Sequence, residues 1–193
     1  MTRAKEYDRD EVLDAATQAF WVKGFKGTSV SDLVAATGLG KRSMYQEFDS
    51  KEGLFRECID NFVMRTNKGL SAILTQQPLG FQNIESFFRN RIDYASSHDC
   101  HGCFVVNSVI EKELLEEEIF GQVQKYLSHF EEAFYQCLLA AEANGEIDSE
   151  KDCRALAGYL NTFSAGMMVM GKTNPNRKSL EVMVELVLST IKR

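Results

Sequence analysis

The chain has 193 residues, of which 44% are hydrophobic and 26% charged, and its formal net charge is -6 at pH 7. This is the balance of an ordinary globular protein with enough length to bury a sizeable core, and the acidic charge argues against a protein coated in nucleic acid. No apolar run approaches the roughly 18 residues of a membrane span, and the N-terminus lacks an apolar export signal. The five cysteines predict reduced thiols in a cytoplasmic protein without membrane contact.

Apolar residues recur at helical spacing along the whole chain, and only two prolines interrupt it, so the sequence predicts an all-α fold. Asp8 with Glu11 and Ser29 with Asp32 are capping pairs for the first two helices, and Gly24 is the expected C-terminal cap of the first. The predicted helices cover, approximately, residues 9–23, 30–37, 41–48, 50–75, 84–94, 104–115, 117–144, 148–171 and 177–191. We expect Asp148 or Ser149 to cap the eighth helix.

Two domains are expected, a head of residues 1–50 and a larger helical domain of residues 51–193, joined in the fourth helix without a flexible linker. In the head, two short helices flank the tight turn Gly38-Leu39-Gly40, which is the helix-turn-helix arrangement. The second helix of such a pair enters the DNA major groove with its N-terminal residues, here Lys41, Arg42 and Ser43. Residues 23–46 therefore carry a local positive charge, although the net charge of the whole protein is negative. They contain one acid, Asp32, and four basic residues, Lys23, Lys26, Lys41 and Arg42.

Residues 28–55, TSVSDLVAATGLGKRSMYQEFDSKEGLF, resemble the DNA-binding segment of TetR-family transcriptional repressors. The stretch GCFVVN, residues 102–107, is similar to a segment from one branch of that family. Two departures stand out: Val34 replaces the usual Ala, and Gly40 replaces the usual Ser or Thr cap, a change that costs only a few tenths of a kcal/mol. The positions that match the family pattern are Thr28, Asp32, Gly38, Tyr45, Phe48, Ser50, Lys51, Glu52 and Leu54.

The resemblance implies how these residues act. Lys41, Arg42 and Ser43 would approach bases, while Thr28, Tyr45 and Lys51 would bind the DNA backbone. For Tyr45 the alternative is core packing beside Met44, and for Arg42 it is a solvated surface charge. The small core of the head would consist of Phe20, Leu33, Leu39, Met44 and Phe48.

The same resemblance implies a homodimer through the last two helices, a double-stranded DNA operator and an unknown small-molecule effector. The effector would bind an apolar pocket of the larger domain and release the repressor from its operator. Taken one at a time, each candidate for the lining fits plain core packing better than a pocket; the candidates are Tyr94, Phe104, Asn107, Phe134, Tyr159, Phe163 and Met167.

The stretch GMMVMGKT, residues 166–173, fits the pattern of a phosphate-binding loop letter by letter. That loop needs a preceding strand and a following helix, whereas here a helical pattern precedes it and Asn174-Pro175 follows. We therefore expect a buried helix, no enzyme activity and no cofactor. Gly158 and Gly166 lie on one face of that helix, where they would allow a partner helix to approach closely.

The turn HDCHGC, residues 98–103, contains the only C-x-x-C pair of the chain. An ordinary turn between helices is one interpretation, because structural zinc sites normally use two separated pairs. The alternative function is a metal- or thiol-redox-responsive DNA-binding sensor that uses Cys100 and Cys103, with His101 as a further weak metal-ligand candidate.

Overall fold

The computed structural model describes residues 7–193, apart from the side chain of Asn67, and within these residues the predicted all-α fold is confirmed. An isolated antiparallel bridge joins Ile147 to Lys192. No helix of the described part is long and apolar enough to cross a membrane. The helices are α1 (Arg9–Gly27), α2 (Val30–Thr37), α3 (Lys41–Phe48), α4 (Lys51–Thr66), α5 (Ala72–Thr75), α6 (Phe81–Ala95), α7 (Phe104–Ile110), α8 (Glu117–Ala143), α9 (Cys153–Gly171) and α10 (Arg177–Ser189).

Capping residues set most of the helix ends in the head, and the exception is the end of α1. The Asp8 carboxylate accepts the backbone N–H of Asp10 at 2.8 Å, which starts α1. Ser29 and Asp32 form a complete capping box at the start of α2, and Gly38 ends this helix in the left-handed conformation. Gly24, with φ of 75°, interrupts α1 at the predicted position, but a further helical turn follows it as far as Gly27.

Three predicted boundaries were wrong. The helix after the cysteine turn ends at Ile110 rather than at Leu115 and is followed by a short 3-10 helix, Lys112–Leu114. Asp152, and neither Asp148 nor Ser149, caps α9, because its carboxylate accepts the N–H groups of Arg154 and Ala155. The predicted fourth helix is helical over its whole length, but it is not a single α-helix, because a π-helical segment, Asn67–Ser71, separates α4 from α5.

One core runs from the head into the larger domain. The predicted head core is confirmed: Phe20, Leu33, Leu39, Met44 and Phe48 are all buried. Aromatic rings then continue the packing, since Phe20 contacts Phe55 on α4 with 4.9 Å between ring centroids, and Phe55 contacts Phe104 on α7 at 5.4 Å. The head is therefore packed against α4 and α7 rather than attached through a linker.

The stretch GMMVMGKT lies in the last part of α9 and the turn after it, so the phosphate-loop interpretation is wrong. Met167 and Met168 are buried within the helix bundle, but Val169 and Met170 are exposed, so the expectation of a buried helix is wrong for these two positions. At the end of this helix Gly171 packs tightly against the end of α6 and the turn after it, since a Cβ built on it would lie 2.8 Å from the Cys100 Sγ and 3.3 Å from the Ala95 Cβ.

We expect Gly171→Ala to destabilise the protein by about 1–3 kcal/mol, because the added methyl group overpacks this contact. Gly121→Ala is the matched control on α8, since nothing lies within 4 Å of the added Cβ, and it should be neutral or stabilising by up to about 1 kcal/mol. Urea unfolding monitored by circular dichroism measures both; equal effects of the two substitutions would contradict the tight contact at Gly171.

Candidate nucleic-acid interface and adjoining cavity

Helix α3 presents a polar face to solvent while its other face is anchored in the core. Met44 and Phe48, one helical turn apart, are buried, and this fixes the orientation of the helix. Gly40 is its N-cap and forms no side-chain cap hydrogen bond. The exposed side chains of the helix are Lys41, Arg42, Ser43, Tyr45 and Gln46.

The charges of the head leave the first turn of α3 positive. Lys23 forms an ion pair with Asp32, and this contact, together with hydrogen bonds from Ser29, holds the pKa of the Asp32 carboxyl well below its usual range. Within residues 7–193, neither Lys41 nor Arg42 has an ion-pair partner. These two cations are therefore available to bind an external anion such as a phosphate or to donate to a guanine edge.

Of the remaining predicted DNA contacts, Tyr45 and Lys51 are accessible and Thr28 is buried. Tyr45 is 39% exposed, so the alternative of core packing is wrong for this residue. Lys51 starts α4 and its Nζ lies 4.3 Å from the centroid of the Phe25 ring. Thr28 is not on the surface: it is completely buried, and its hydroxyl donates to the Gly24 carbonyl at 2.6 Å. In this conformation Thr28 shapes the turn after α1 and presents no atom to a phosphate.

Gln46, which is not among the predicted contacts, lies one helical turn after Arg42 on the exposed face of α3. A glutamine amide can bind the adenine N6 and N7 positions in the major groove. The i to i+4 spacing from Arg42 was the signal that could have identified it.

A carboxylate of the larger domain holds the end of α1. The two oxygens of Glu111 accept the backbone N–H groups of Phe25 at 2.8 Å and of Lys26 at 3.0 Å. These N–H groups lack intrahelical acceptors because Gly24 breaks the helix just before them. A Cβ on Gly24 would lie 3.0 Å from the same carboxylate, so glycine here serves both the backbone conformation and the close approach.

Beside this contact lies a cavity of about 330 Å³, bounded by α1, α4, the π-helical segment, α6, the turn before α7, and α8. Three of its aromatic side chains pack on one another, since the Trp21 ring lies 5.1 Å from Phe62 and 6.4 Å from Tyr94, centroid to centroid. The cavity is lined by Trp21, Phe62, Arg65, Thr66, Leu70, Asn90, Arg91, Tyr94, Gly102, Cys103 and Tyr126.

The turn before α7 is held to both domains through one carbonyl. The Gly102 oxygen accepts a hydrogen bond from the Trp21 indole N–H at 3.2 Å and another from the Tyr94 hydroxyl at 3.1 Å. Burial, reinforced by the nearby Cys100, raises the pKa of Tyr94 to about 12, so this hydroxyl keeps its proton and donates at neutral pH. A displacement of the Gly102 carbonyl would therefore alter a hydrogen bond made by Trp21 on α1 of the head.

Of the seven predicted pocket residues, Tyr94 is the one that lines this cavity. Phe104 lies behind it, 6.4 Å from the Trp21 ring, and the Asn107 amide donates to the His101 carbonyl. Phe134 is buried in the core between helices, where it stacks against Phe88. The other three also lie outside the lining: Phe163 packs on Phe88, Met167 is buried and Tyr159 is exposed on α9.

The cysteine turn does not form a metal site in the described part of the chain. Within residues 7–193 no three His, Cys, Asp or Glu side chains are arranged to hold a metal ion, so Cys100, His101 and Cys103 do not converge on one point. Cys100 is buried against Gly171, whereas Cys103 lines the cavity with 3% of its surface exposed.

A helix-turn-helix head with two exposed basic side chains at the start of α3, packed on an all-helical domain that has a cavity, is typical of a DNA-binding transcriptional regulator. The family model for bacterial regulatory proteins of the tetR family matches residues 12–58, and the model for the tetracyclin repressor-like C-terminal domain matches residues 80–187. The chain belongs to the TetR family. Members of this family are DNA-binding regulators and not enzymes, in agreement with the prediction from the sequence.

Two curated relatives cover nearly the whole chain. The chain is 30% identical to the transcriptional repressor ComR of Escherichia coli over 98% of its own length and 90% of the relative's. It is 28% identical to the uncharacterised regulator YezE of Bacillus subtilis over 99% and 100% of the two lengths.

Solved structures show the same architecture. A cysteine mutant of the TetR-family regulator CifR, complexed with 26-base-pair double-stranded operator DNA, matches with a TM-score of 0.85 and 26% identity over 97% of this chain and 98% of that one. The reduced form of Escherichia coli NemR has the same fold, with a TM-score of 0.83 and 20% identity over 95% and 96% of the two chains.

We expect Glu111→Gln to loosen the end of α1, because the amide retains one acceptor oxygen and turns an NH₂ group toward the other backbone N–H. Hydrogen exchange of the Phe25 and Lys26 amides should accelerate, and the protein should lose about 1–2 kcal/mol of stability. NMR exchange and thermal unfolding measure these effects, with the exposed Glu113→Gln as the control. Unchanged exchange in Glu111→Gln would show that the carboxylate does not hold the head.

Proposed function

We propose that this protein is a repressor that binds a near-palindromic operator as a homodimer and is released by a small-molecule effector. The observation that carries the proposal is the exposed first turn of α3, where Lys41 and Arg42 have no ion-pair partner in the described residues while Met44 and Phe48 anchor the helix. CifR, which is 26% identical, is complexed with operator DNA, and ComR is named a repressor. Such a protein would act in the bacterial cytoplasm, where the operator is.

In the proposed complex each head places α3 in the major groove of one half-site. Lys41, Arg42 and Ser43 meet base edges there, and Gln46 extends the same face by one turn. Tyr45 and Lys51 contact phosphates on either side, with Lys51 at the N-terminus of α4, where backbone N–H groups also favour an anion. Thr28 is omitted from this proposal because it is buried.

The proposed dimer uses the outer faces of α9 and α10. Nothing lies within 4 Å of a Cβ built on Gly158 or Gly166, so α9 has room for the close approach of a second helix. Large apolar side chains are exposed on both helices, and Leu186 is 65% exposed. The others are Tyr159, Val169, Met170, Val182 and Met183. A surface of this kind favours a permanent interface between copies of the chain.

The proposed effector site is the 330 Å³ cavity, because its wall belongs to both domains. Trp21 comes from the head, and its indole N–H is bonded to Gly102 of the larger domain. A ligand that separates these two groups would change the position of α1 and, with it, the spacing of the two heads. Repression is relieved only if the ligand binds that altered state more tightly than the DNA-bound state.

A thiol-responsive sensor is a second candidate, supported by the position of Cys103 in the cavity lining beside Tyr126. A small electrophile that enters the cavity could react with this thiol, whereas Cys100 is packed against Gly171. Release of DNA by such a compound should then be lost in Cys103→Ser and retained in Cys100→Ser. Equal responses of the two variants would remove this candidate.

For the DNA contact, we expect Arg42→Ala to weaken binding to the best operator by about 1–3 kcal/mol, because a cation at a base edge or phosphate is lost. Fluorescence anisotropy with a duplex selected from a random library measures this affinity. Arg89→Ala, which removes an exposed arginine from α6 of the larger domain, is the control for net charge. If both variants bind as the wild type does, α3 is not the reading helix.

For the dimer, we expect Leu186→Glu to produce monomers and to reduce operator affinity at least tenfold, because a carboxylate would be buried in an apolar interface. Light scattering coupled to size-exclusion chromatography measures the mass. Gln124→Glu adds the same charge to an exposed position of α8 and should remain dimeric. A wild-type protein that is monomeric at micromolar concentration would overturn the proposed assembly.

A further inference from the structure

Two buried hydrogen-bond donors of the cavity lack acceptors. The Arg91 Nε–H is shielded from solvent and has no hydrogen-bond partner among the described residues. The Tyr126 hydroxyl is also shielded, and the polar groups near it are the Thr66 hydroxyl and the Cys103 thiol, neither of which meets hydrogen-bond geometry with it. Tyr126 is 4% exposed, and leaving such a donor unsatisfied costs about 1–3 kcal/mol. An unsatisfied pair of this kind in a cavity wall indicates a missing acceptor.

The Tyr126 hydroxyl is held in its protonated form. Burial raises the pKa of this phenol well above its ordinary value, and the nearby Cys103 adds to the rise. Thr66, Arg91 and Cys103, the groups that act on Tyr126, all line the same cavity. The hydroxyl is therefore a donor at this wall throughout the physiological pH range.

Arg91 brings a positive charge without a counter-ion. Its guanidinium lies over the Phe87 ring at 5.1 Å, and its Nη1 donates to the Met168 sulfur at 3.1 Å, which is a weak acceptor. In the described residues no carboxylate pairs with it and no acidic side chain lines the cavity. The other arginine of the lining, Arg65, is already paired with Asp14.

The rest of the wall is aromatic and apolar. Trp21, Phe62 and Tyr94 form one side, and Leu70 enters from the π-helical segment, a kind of helix distortion that is frequent at functional sites. An inorganic anion would leave these surfaces uncovered, and a purely apolar ligand would leave the two donors unsatisfied. The volume of about 330 Å³ is at the small end of ligand pockets.

We propose that the cavity binds a small organic carboxylate with a flat apolar body. The carboxylate accepts hydrogen bonds from Arg91 and Tyr126 and neutralises the guanidinium, which is the strong, charge-assisted case. The body packs against Trp21 and Phe62. This inference rests on the proposed effector site, for which it specifies the chemical class of the ligand.

The test compares 4-phenylbutyrate with its neutral amide, 4-phenylbutyramide, by isothermal titration calorimetry on the full chain. Trp21 is the single tryptophan of the protein, so its fluorescence reports whether the compound occupies this cavity. The acid should bind at least about tenfold more tightly than the amide. Equal affinities, or no binding of the acid at millimolar concentration, would overturn the inference.

Substitutions of Arg91 and Tyr126 test whether these two residues cause the preference for the acid over the amide. Arg91→Gln should reduce the acid preference to within about twofold, and Arg89→Gln, the same change at an exposed position of α6, should leave it intact. Tyr126→Phe should weaken binding of the acid while leaving the unliganded protein as stable or more stable, because it removes an unsatisfied hydroxyl. This variant keeps the test decisive if Arg91→Gln folds poorly; an unchanged preference in Tyr126→Phe would overturn the assignment.

DNA release separates this inference from the proposed function. If the acid binds with the expected preference and operator affinity stays constant, the ligand class is right and the effector role of the cavity is wrong. If a neutral compound releases the operator and no acid binds, the effector role is supported and the ligand class is wrong.

Discussion

The break of α1 at Gly24 is the constraint that joins the DNA-facing head to the rest of the molecule. With φ of 75°, Gly24 leaves the following N–H groups without helical acceptors, and Glu111 from the other domain satisfies two of them. The Thr28 hydroxyl bonds to the Gly24 carbonyl from the other side. A local irregularity of the backbone is thus stabilised by one neighbouring side chain and one that is distant in sequence.

The same part of α1 forms a wall of the cavity. Trp21 lies one helical turn before the break and donates to Gly102, while Glu111 follows at the end of α7. The segment from Gly102 to Glu111 therefore contacts both the cavity and the end of α1. Coupling between the two sites would need no long pathway, only a second arrangement of this segment that a ligand prefers.

Most helices of this protein could be predicted from the sequence, whereas only some residues of the candidate sites could. Helix ends set by local groups, such as the Ser29 and Asp32 capping box, were predictable because their partners lie within a few residues. The solvent-facing residues of α3 followed from a single helical period once Met44 and Phe48 were assigned to the core. The burial of Thr28 was not predicted, because its hydroxyl bonds to the turn at Gly24. Helical periodicity does not describe the geometry of that turn.

The sequence alone determined the helical fold, the basic turn at Lys41 and Arg42, and the resemblance to TetR regulators, because these depend on local spacing and capping. Only the tertiary structure decided which side chains surround the cavity. Trp21, Arg91 and Tyr126 come from three helices far apart in the chain, and each also fits the pattern of an ordinary core or surface position. Whether a buried donor finds its acceptor depends on which helices pack together, and helical periodicity carries no information about that.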